Sequence, residues 1–473
     1  MNTSSDMFGG QNEALQIARR MDRLPITGLT WRIVLLGSLA WFIESLSVGA
    51  IGVVIPVLKK TMTLTAGEVG VLAVASTIGI VIGLIPAGQL ADRFGRKTVL
   101  IWGIVEYSLF TILCAFSPNL IILVILRFLS GLGMGAVFPL PYAITGEFVP
   151  LNRRTTFNGV MDAALSIGYF VAPLLGLAIL PALRPGIAWR VFFVVSGIPL
   201  ISAWLIYKYL PESPRWLSRR GDTARAHEIL SYIENETVRR TGQPLPEPST
   251  AIESEAMGGK ISTSTQIGRI WAPWQRRYLR RTLVSSIAAV GTFFMFYIVM
   301  TYLPLIFTKE GLTLAKSLIF AAIIIGAAIP GKLLNGYLGE TWGRKTMYIL
   351  FMGVAGIGAL FFGGAQTGAL MILYGCIMSF FGTGAFPSLK MSYAEQYPTP
   401  MRTTGAASVE TWGRFLGGVV GAYAFPALIL GIGLIPSFDI VAGVTFFAVI
   451  ILALFSKETK NQSLEKIEAT LSS

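Results

Sequence analysis

Residues Gly88–Lys97 read G-Q-L-A-D-R-F-G-R-K: they end one long apolar run, turn within ten residues and open another. A second copy, G-Y-L-G-E-T-W-G-R-K, stands at Gly336–Lys345, 248 positions later and just past the middle of the 473-residue chain. The same separation links Asp92 with Glu340, Glu147 with Glu395, Arg154 with Arg402 and Asp162 with Glu410. Four like-charged pairs in one ungapped register mark an internal repeat.

The medium in which this repeat folds follows from composition. The chain is 53% hydrophobic and 13% charged, with a mean hydropathy of +0.65, whereas soluble domains are about one-quarter charged. Twelve apolar runs recur between 32–57 and 437–456, each near the ~20 residues with which a helix crosses a bilayer. Six runs lie in each half. An even number makes both halves enter from one side, so their symmetry axis runs along the membrane normal.

The expected fold is therefore an all-α membrane protein of twelve transmembrane helices in two pseudo-symmetric six-helix bundles. It divides into a leader (1–31), a first bundle (32–210), a linker (211–281), a second bundle (282–456) and a tail (457–473). The leader lacks a cleavage-site pattern, so the first helix is expected to be retained.

The net charge of +13 invites a nucleic-acid reading, but most Lys and Arg fall in alternate loops. Arg93, Arg96, Lys97, Arg153, Arg154, Arg344, Lys345 and Arg402 share one side with the linker and both termini. By the positive-inside rule that side is cytoplasmic. Lys59, Lys60, Arg184, Lys309 and Lys316 are the exceptions. Cys114 and Cys376 both lie inside runs, which indicates neither a disulfide framework nor a zinc site. His227, the only histidine, lies in the linker, which excludes a histidine proton relay inside the membrane.

Charges inside apolar runs are costly and mark function. Glu44 falls near the middle of the first run. Arg127 opens R-F-L-S-G-L-G-M-G in the fourth, whose glycines permit close helix approach. Lys332 lies deep in the eighth run and Arg414 in the eleventh. Two cations at depth favour an anionic substrate. Asp162 and Glu410 could balance them, or Glu410 and Arg414 could pair at i,i+4. Trp41, Tyr169, Phe293, Tyr297 and Trp412 could stack on a ring, with Phe294 and Phe296 nearby. Glu106 and Lys390 are assigned to no role and placed off the cavity.

The paired D-R-F-G-R-K and W-G-R-K turns, R-F-L-S-G-L-G-M-G, P-E-S-P-R-W-L (Pro211–Leu217) and E-Q-Y-P-T-P-M-R-T-T-G (Glu395–Gly405) together resemble the major facilitator superfamily. Within it they look like the metabolite:proton symporters allied to sugar porters and organic-ion carriers. The first-run W-F-I-E-S-L-S-V-G and the G-R-F-L-G-G after Trp412 are similar to bacterial niacin and aromatic-acid carriers. Those carriers often have a second acid three residues after the first, where this chain has Ser47.

The resemblance implies two bundles rocking about a central site. It implies a cytoplasmic gate of Asp92, Arg96, Glu147, Arg154 and their counterparts Glu340, Arg344, Glu395 and Arg402, with Asp92 pairing Arg154 and Glu340 pairing Arg402. It also implies that Glu44 carries the proton and that Arg127 is its partner. A carboxyl withdrawn from water holds its proton more tightly, and one facing a guanidinium less so.

The function expected is proton-coupled import of a small organic acid, such as an aromatic or pyridine carboxylate, by a monomer in the inner membrane with both termini cytoplasmic. The partners are substrate, proton and lipid, with no nucleic acid and no cofactor. A sugar or polyol symporter is the alternative, although the seventh run lacks the Gln and Asn cluster of sugar sites. A drug exporter or a transport-dead sensor are further alternatives. No nucleophile–base pair suggests an enzyme.

Overall fold

The computed structural model describes residues 16–17, 19–21, 23–149, 154–247, 271–397 and 402–458. Among the described residues, twelve helices are long and apolar enough to cross a membrane. The first six are α1 (Gly28–Thr61), α2 (Ala66–Leu84), α3 (Arg96–Cys114), α4 (Leu120–Gly146), α5 (Thr156–Ile179) and α6 (Pro185–Tyr209). The second six are α7 (Arg276–Lys309), α8 (Leu314–Trp342), α9 (Arg344–Gly363), α10 (Gly368–Glu395), α11 (Thr404–Gly431) and α12 (Leu434–Phe455). Trp102, Ile121, Trp204, Phe447 and Leu454 stand exposed on their outer surface, as side chains facing lipid do.

The repeated motif forms the same turn twice. The helix of α2 continues to Phe94, and the chain reverses at Gly95 with φ of +100°; Gly343 does the same between α8 and α9 with φ of +102°. An L side chain is strained there, which is why glycine stands at both places. The first backbone N–H groups of each following helix then meet a carboxylate from the end of the same half. Lys97 N donates to Glu212 at 3.4 Å, and Arg344 N and Lys345 N donate to Glu458 at 3.0 and 3.1 Å. A carboxylate at a helix N-terminus satisfies donors that the helix leaves open and complements its dipole.

Without a hydrophobic force between helices in lipid, close packing needs small residues. Gly131 and Gly135 of α4 fit against Gly79 and Gly83 of α2: a Cβ at either would come within 2.9 or 2.8 Å of the facing Cα. Gly133 faces α3 instead.

The halves meet at both ends. Since twelve spans return the chain to its starting side, Gly28 and Phe455 share one face, the terminal face. There Thr156 of α5 donates to Glu340 of α8 at 3.4 Å. At the other end Gly52 of α1 lies against Thr301 of α7, and Gly70 of α2 against Tyr423 of α11. On the terminal face the linker forms a helix at Thr223–Thr241.

The expectations for residues 248–270 and for 459–473 of the tail lie outside the described residues, as do the side chains of Asp92, Glu147, Arg154 and Arg402.

Candidate functional site

Spans α1 and α7 are the most enclosed of the twelve, 94% and 83% buried over their apolar cores, so side chains at mid-span on these helices face protein. Glu44 of α1 is fully buried. Neither of its carboxylate oxygens has a hydrogen-bond partner among the described residues. The cationic groups whose charge reaches it are Arg414 and then Arg127.

Arg127 and Glu44 do not close an ion pair. The guanidinium of Arg127 donates through Nη2 to Ser47 O at 3.3 Å and to Ser76 Oγ at 3.1 Å, and lies 5.8 Å from the Phe193 ring. Ser47, in the place of a second acid, is joined by its hydroxyl to Thr111 at 3.0 Å, and Thr111 to Ser130 at 3.1 Å. The neutral residue belongs to a chain of hydroxyls linking α1, α3 and α4.

Arg414 lies in a stretch of α11 wound as π-helix, Gly413–Gly421. Gly417, Gly418 and Gly421 there seat Phe293, Phe294 and Tyr297 of α7. Arg414 Nη2 donates to Glu410 Oε1 at 2.9 Å, the i,i+4 pairing. Its guanidinium lies 3.9 Å from the Phe138 ring centroid and 4.9 Å from that of Phe293.

Toward the terminal face a second cluster centres on Asp162, which is 2% exposed. Its Oδ2 accepts from Tyr142 OH at 2.8 Å and its Oδ1 from Lys390 Nζ at 3.1 Å. Lys390 Nζ also donates to Tyr142 OH at 2.9 Å. Lys332 Nζ donates to the backbone oxygen of Asp162 at 3.1 Å and lies 5.6 Å from the Phe386 ring. Asp162 therefore answers both lysines, one with its side chain and one with its main chain.

The expected aromatic residues divide. Tyr169, Phe293 and Tyr297 are buried in a linked array with Phe296 and Phe386, and Trp41 is buried edge-on to Tyr142 at 4.3 Å. Trp412 is not brought to this array. It is 40% exposed and packs on Trp274 and Phe415.

At the terminal face Arg344 Nη2 meets Glu395 at 3.0 Å, and Arg96 Nη1 donates to Ala143 O at 3.1 Å.

Lys390 lies in the cluster rather than off it, a correction to the sequence reading. Tyr142, Phe138 and Phe386 were not singled out at all. A signal for them exists in the repeat: 248 positions separate Phe138-Pro139 from Phe386-Pro387, and Tyr142 from Lys390. Each Phe-Pro follows a break in a spanning helix, the end of a helix at Val137 in α4 and the turns Met378–Ala385 in α10. Each ring lies under a cation. Glu106, the other unassigned group, lies against the backbone of Gly133 between α3 and α4.

The sequence profile of the sugar (and other) transporter family matches residues 34–471. The chain belongs to this branch of the major facilitator superfamily. It is 31% identical to the niacin transporter NiaP of Acinetobacter baylyi over 454 residues, covering 96% of this chain and all of that one. It is 27% identical to the 4-hydroxybenzoate transporter PcaK of the same organism, covering 91% of each.

Among solved structures, the proton:xylose symporter XylE bound to 6-bromo-6-deoxy-D-glucose superimposes with a TM-score of 0.75 at 20% identity. The match covers 93% of this chain and 99% of that one. A partially occluded inward-open form of XylE from E. coli gives 0.74 at 19% identity, covering 92% and 100%. The fold of this facilitator is thus shared with XylE, and the protein is a transporter rather than an enzyme.

Proposed function

We propose that this facilitator imports a small aromatic or pyridine carboxylate together with a proton, by alternating access. The observation that carries the reading is the charge count at the centre. Four cations, Arg127, Lys332, Lys390 and Arg414, face three carboxyls, Glu44, Asp162 and Glu410. The excess of one positive charge suits a monocarboxylate, and the surrounding rings suit an aryl group. The named substrates of NiaP and PcaK, niacin and 4-hydroxybenzoate, support the same class.

Glu44 is the proposed proton carrier. Its oxygens have no hydrogen-bond partner among the described residues, and it feels both arginines without being tied to either. The motif turns, with Arg344 held to Glu395, are the proposed cytoplasmic gate. The protein is proposed to act as a monomer in the inner membrane with its terminal face in the cytoplasm.

Uptake of labelled nicotinate and benzoate into proteoliposomes with an alkaline interior tests the reading. Wild type is expected to accumulate the acid. Glu44→Gln is expected to lose accumulation while still exchanging labelled for unlabelled substrate. Undiminished accumulation by Glu44→Gln would remove the proton role. Uptake of xylose or polyols with none of either acid would replace the substrate class by the sugar alternative.

A further inference from the structure

We propose that Lys390 and Tyr142 form the receptor for the substrate's carboxylate, and that Asp162 is a resident stand-in which the substrate displaces. The proposal rests on the organic-acid reading above and names the site at which that acid is gripped.

The position comes first. Tyr142 and Lys390 are counterparts in the repeat, 248 residues apart, and they touch each other at 2.9 Å. Two counterparts in contact must lie beside the axis that relates the halves. A ligand held by both is therefore held by both bundles at once.

The chemistry comes second. The Tyr142 hydroxyl and the Lys390 ammonium form a two-pronged donor, and the two oxygens of one carboxylate, that of Asp162, fill it at 2.8 and 3.1 Å. A substrate carboxylate has the same shape, charge and acceptor set. Rings flank the fork: Lys390 Nζ lies 4.9 Å from the Trp41 centroid and 5.7 Å from that of Phe386. An aryl or pyridine ring bonded to the bound carboxylate would lie among them.

Charge favours the same exchange. Two lysines share one carboxylate, so the cluster holds a positive excess even while Asp162 is in place. Removing Asp162 alone would leave a buried ammonium unpaired, which is strongly unfavourable. Exchanging it for another carboxylate spares the lysine that cost, and Lys332, already at the Asp162 backbone oxygen, is the cation left for the displaced side chain. The exchange has a mechanical result, because Asp162 is on α5 of the first half and Lys390 on α10 of the second. An empty site ties α5 directly to α10, and an occupied one replaces that tie by a bridge from α4 through the ligand to α10.

Calorimetry on the purified full-length protein tests this, with nicotinate and benzoate as probes and nicotinamide and benzamide as neutral counterparts. Wild type is expected to prefer the acids. Asp162→Asn, which removes the competitor but keeps the shape, is expected to bind the acids about tenfold more tightly, with the amides unchanged. Lys390→Gln is expected to lose the preference for acid over amide, and Lys390→Arg to keep most of it. The double variant D162N/K390Q leaves neither side chain charged, and guards against misfolding from one unpaired charge. It is expected to bind acids and amides alike.

If Asp162→Asn weakens acids and amides together, the pair is a static clamp and the proposal fails. It also fails if Lys390→Gln or the double variant retains the wild-type acid preference. If wild type binds none of the four probes but binds a sugar or polyol, the organic-acid reading itself has failed.

Discussion

Arg414 sets its guanidinium over the Phe138 ring at 3.9 Å while its Nη2 holds Glu410. A lysine at this position would keep the charge but lose the plane that stacks on a ring and donates from its rim at the same time. Arg414→Lys is therefore expected to raise KM for the acid about tenfold, the scale of a desolvated cation–π contact. Arg414→Ala, which also strands Glu410, is expected to do worse. Substrate counterflow measures both, and a wild-type KM in Arg414→Lys would show that charge alone suffices. Glu44, Arg127, Lys332 and Arg414 were visible in the sequence because a charge within an apolar run has no ordinary reason to be there. Lys390 was not, since it stands near the end of α10, where a basic residue also satisfies the positive-inside rule. Irregular turns at Met378–Ala385 precede it, and a helical period of 3.6 residues does not carry a facing prediction through them.

Elements show a similar division. The turn at Gly88–Lys97 and the P-E-S-P-R-W-L segment were both legible, but that Glu212 of the second caps the helix following the first was not. Contact between segments over a hundred residues apart leaves no local pattern. Its counterpart Glu458 is 246 residues from Glu212 rather than 248, so the ungapped register passes it by. The leader shows how a pair outside the membrane responds to acid. Arg20 and Arg23 hold Glu234, on the Thr223–Thr241 helix, at 2.6 and 2.8 Å. Burial pushes the Glu234 carboxyl up, but the hydrogen bonds and charges of the two arginines together outweigh it and hold the group below the ordinary 4.5. A carboxyl depressed in the docked form stabilises docking above the ordinary value and loses that contribution as pH falls through the depressed one. A nitroxide at the exposed residue 16 is thus expected to stay immobilised from pH 8 to about pH 5 and to be freed in stronger acid. In Glu234→Ala it should be mobile throughout. Equal mobility in both proteins across the range would mean that the leader is held by its apolar contacts at Ile17 and Met21 alone.

At the scale of the whole molecule, two halves related by one repeat touch at both ends, and the proposed alternating access requires that they part at one end at a time. The duplicated charges made the two bundles legible, whereas the residues that touch between them are mostly small and uncharged and left no such trace. Two such contacts lie at opposite ends. A Cβ on Gly336 of α8 would stand 3.7 Å from Gly159 Cα of α5 on the terminal face, and one on Gly52 of α1 would stand 3.0 Å from Thr301 Cα of α7 at the other end. The first is close enough for a disulfide, whose Cα atoms lie ~4.4–6.8 Å apart; the second is too close, because a Cβ there would also stand 2.7 Å from the Thr301 backbone oxygen. With Cys114 and Cys376 replaced by serine, G159C/G336C is expected to cross-link on oxidation and stop net uptake, leaving the site open to labelled nicotinate only from the face opposite the chain ends. Reduction should restore uptake. Binding to right-side-out and inverted vesicles reads which face of the locked form is open, and net uptake by the fully cross-linked protein would mean that the halves do not part along these helices. Since the terminal latch lies across the same interface as the Asp162–Lys390 tie, the lock should still leave substrate able to displace Asp162 from the open side.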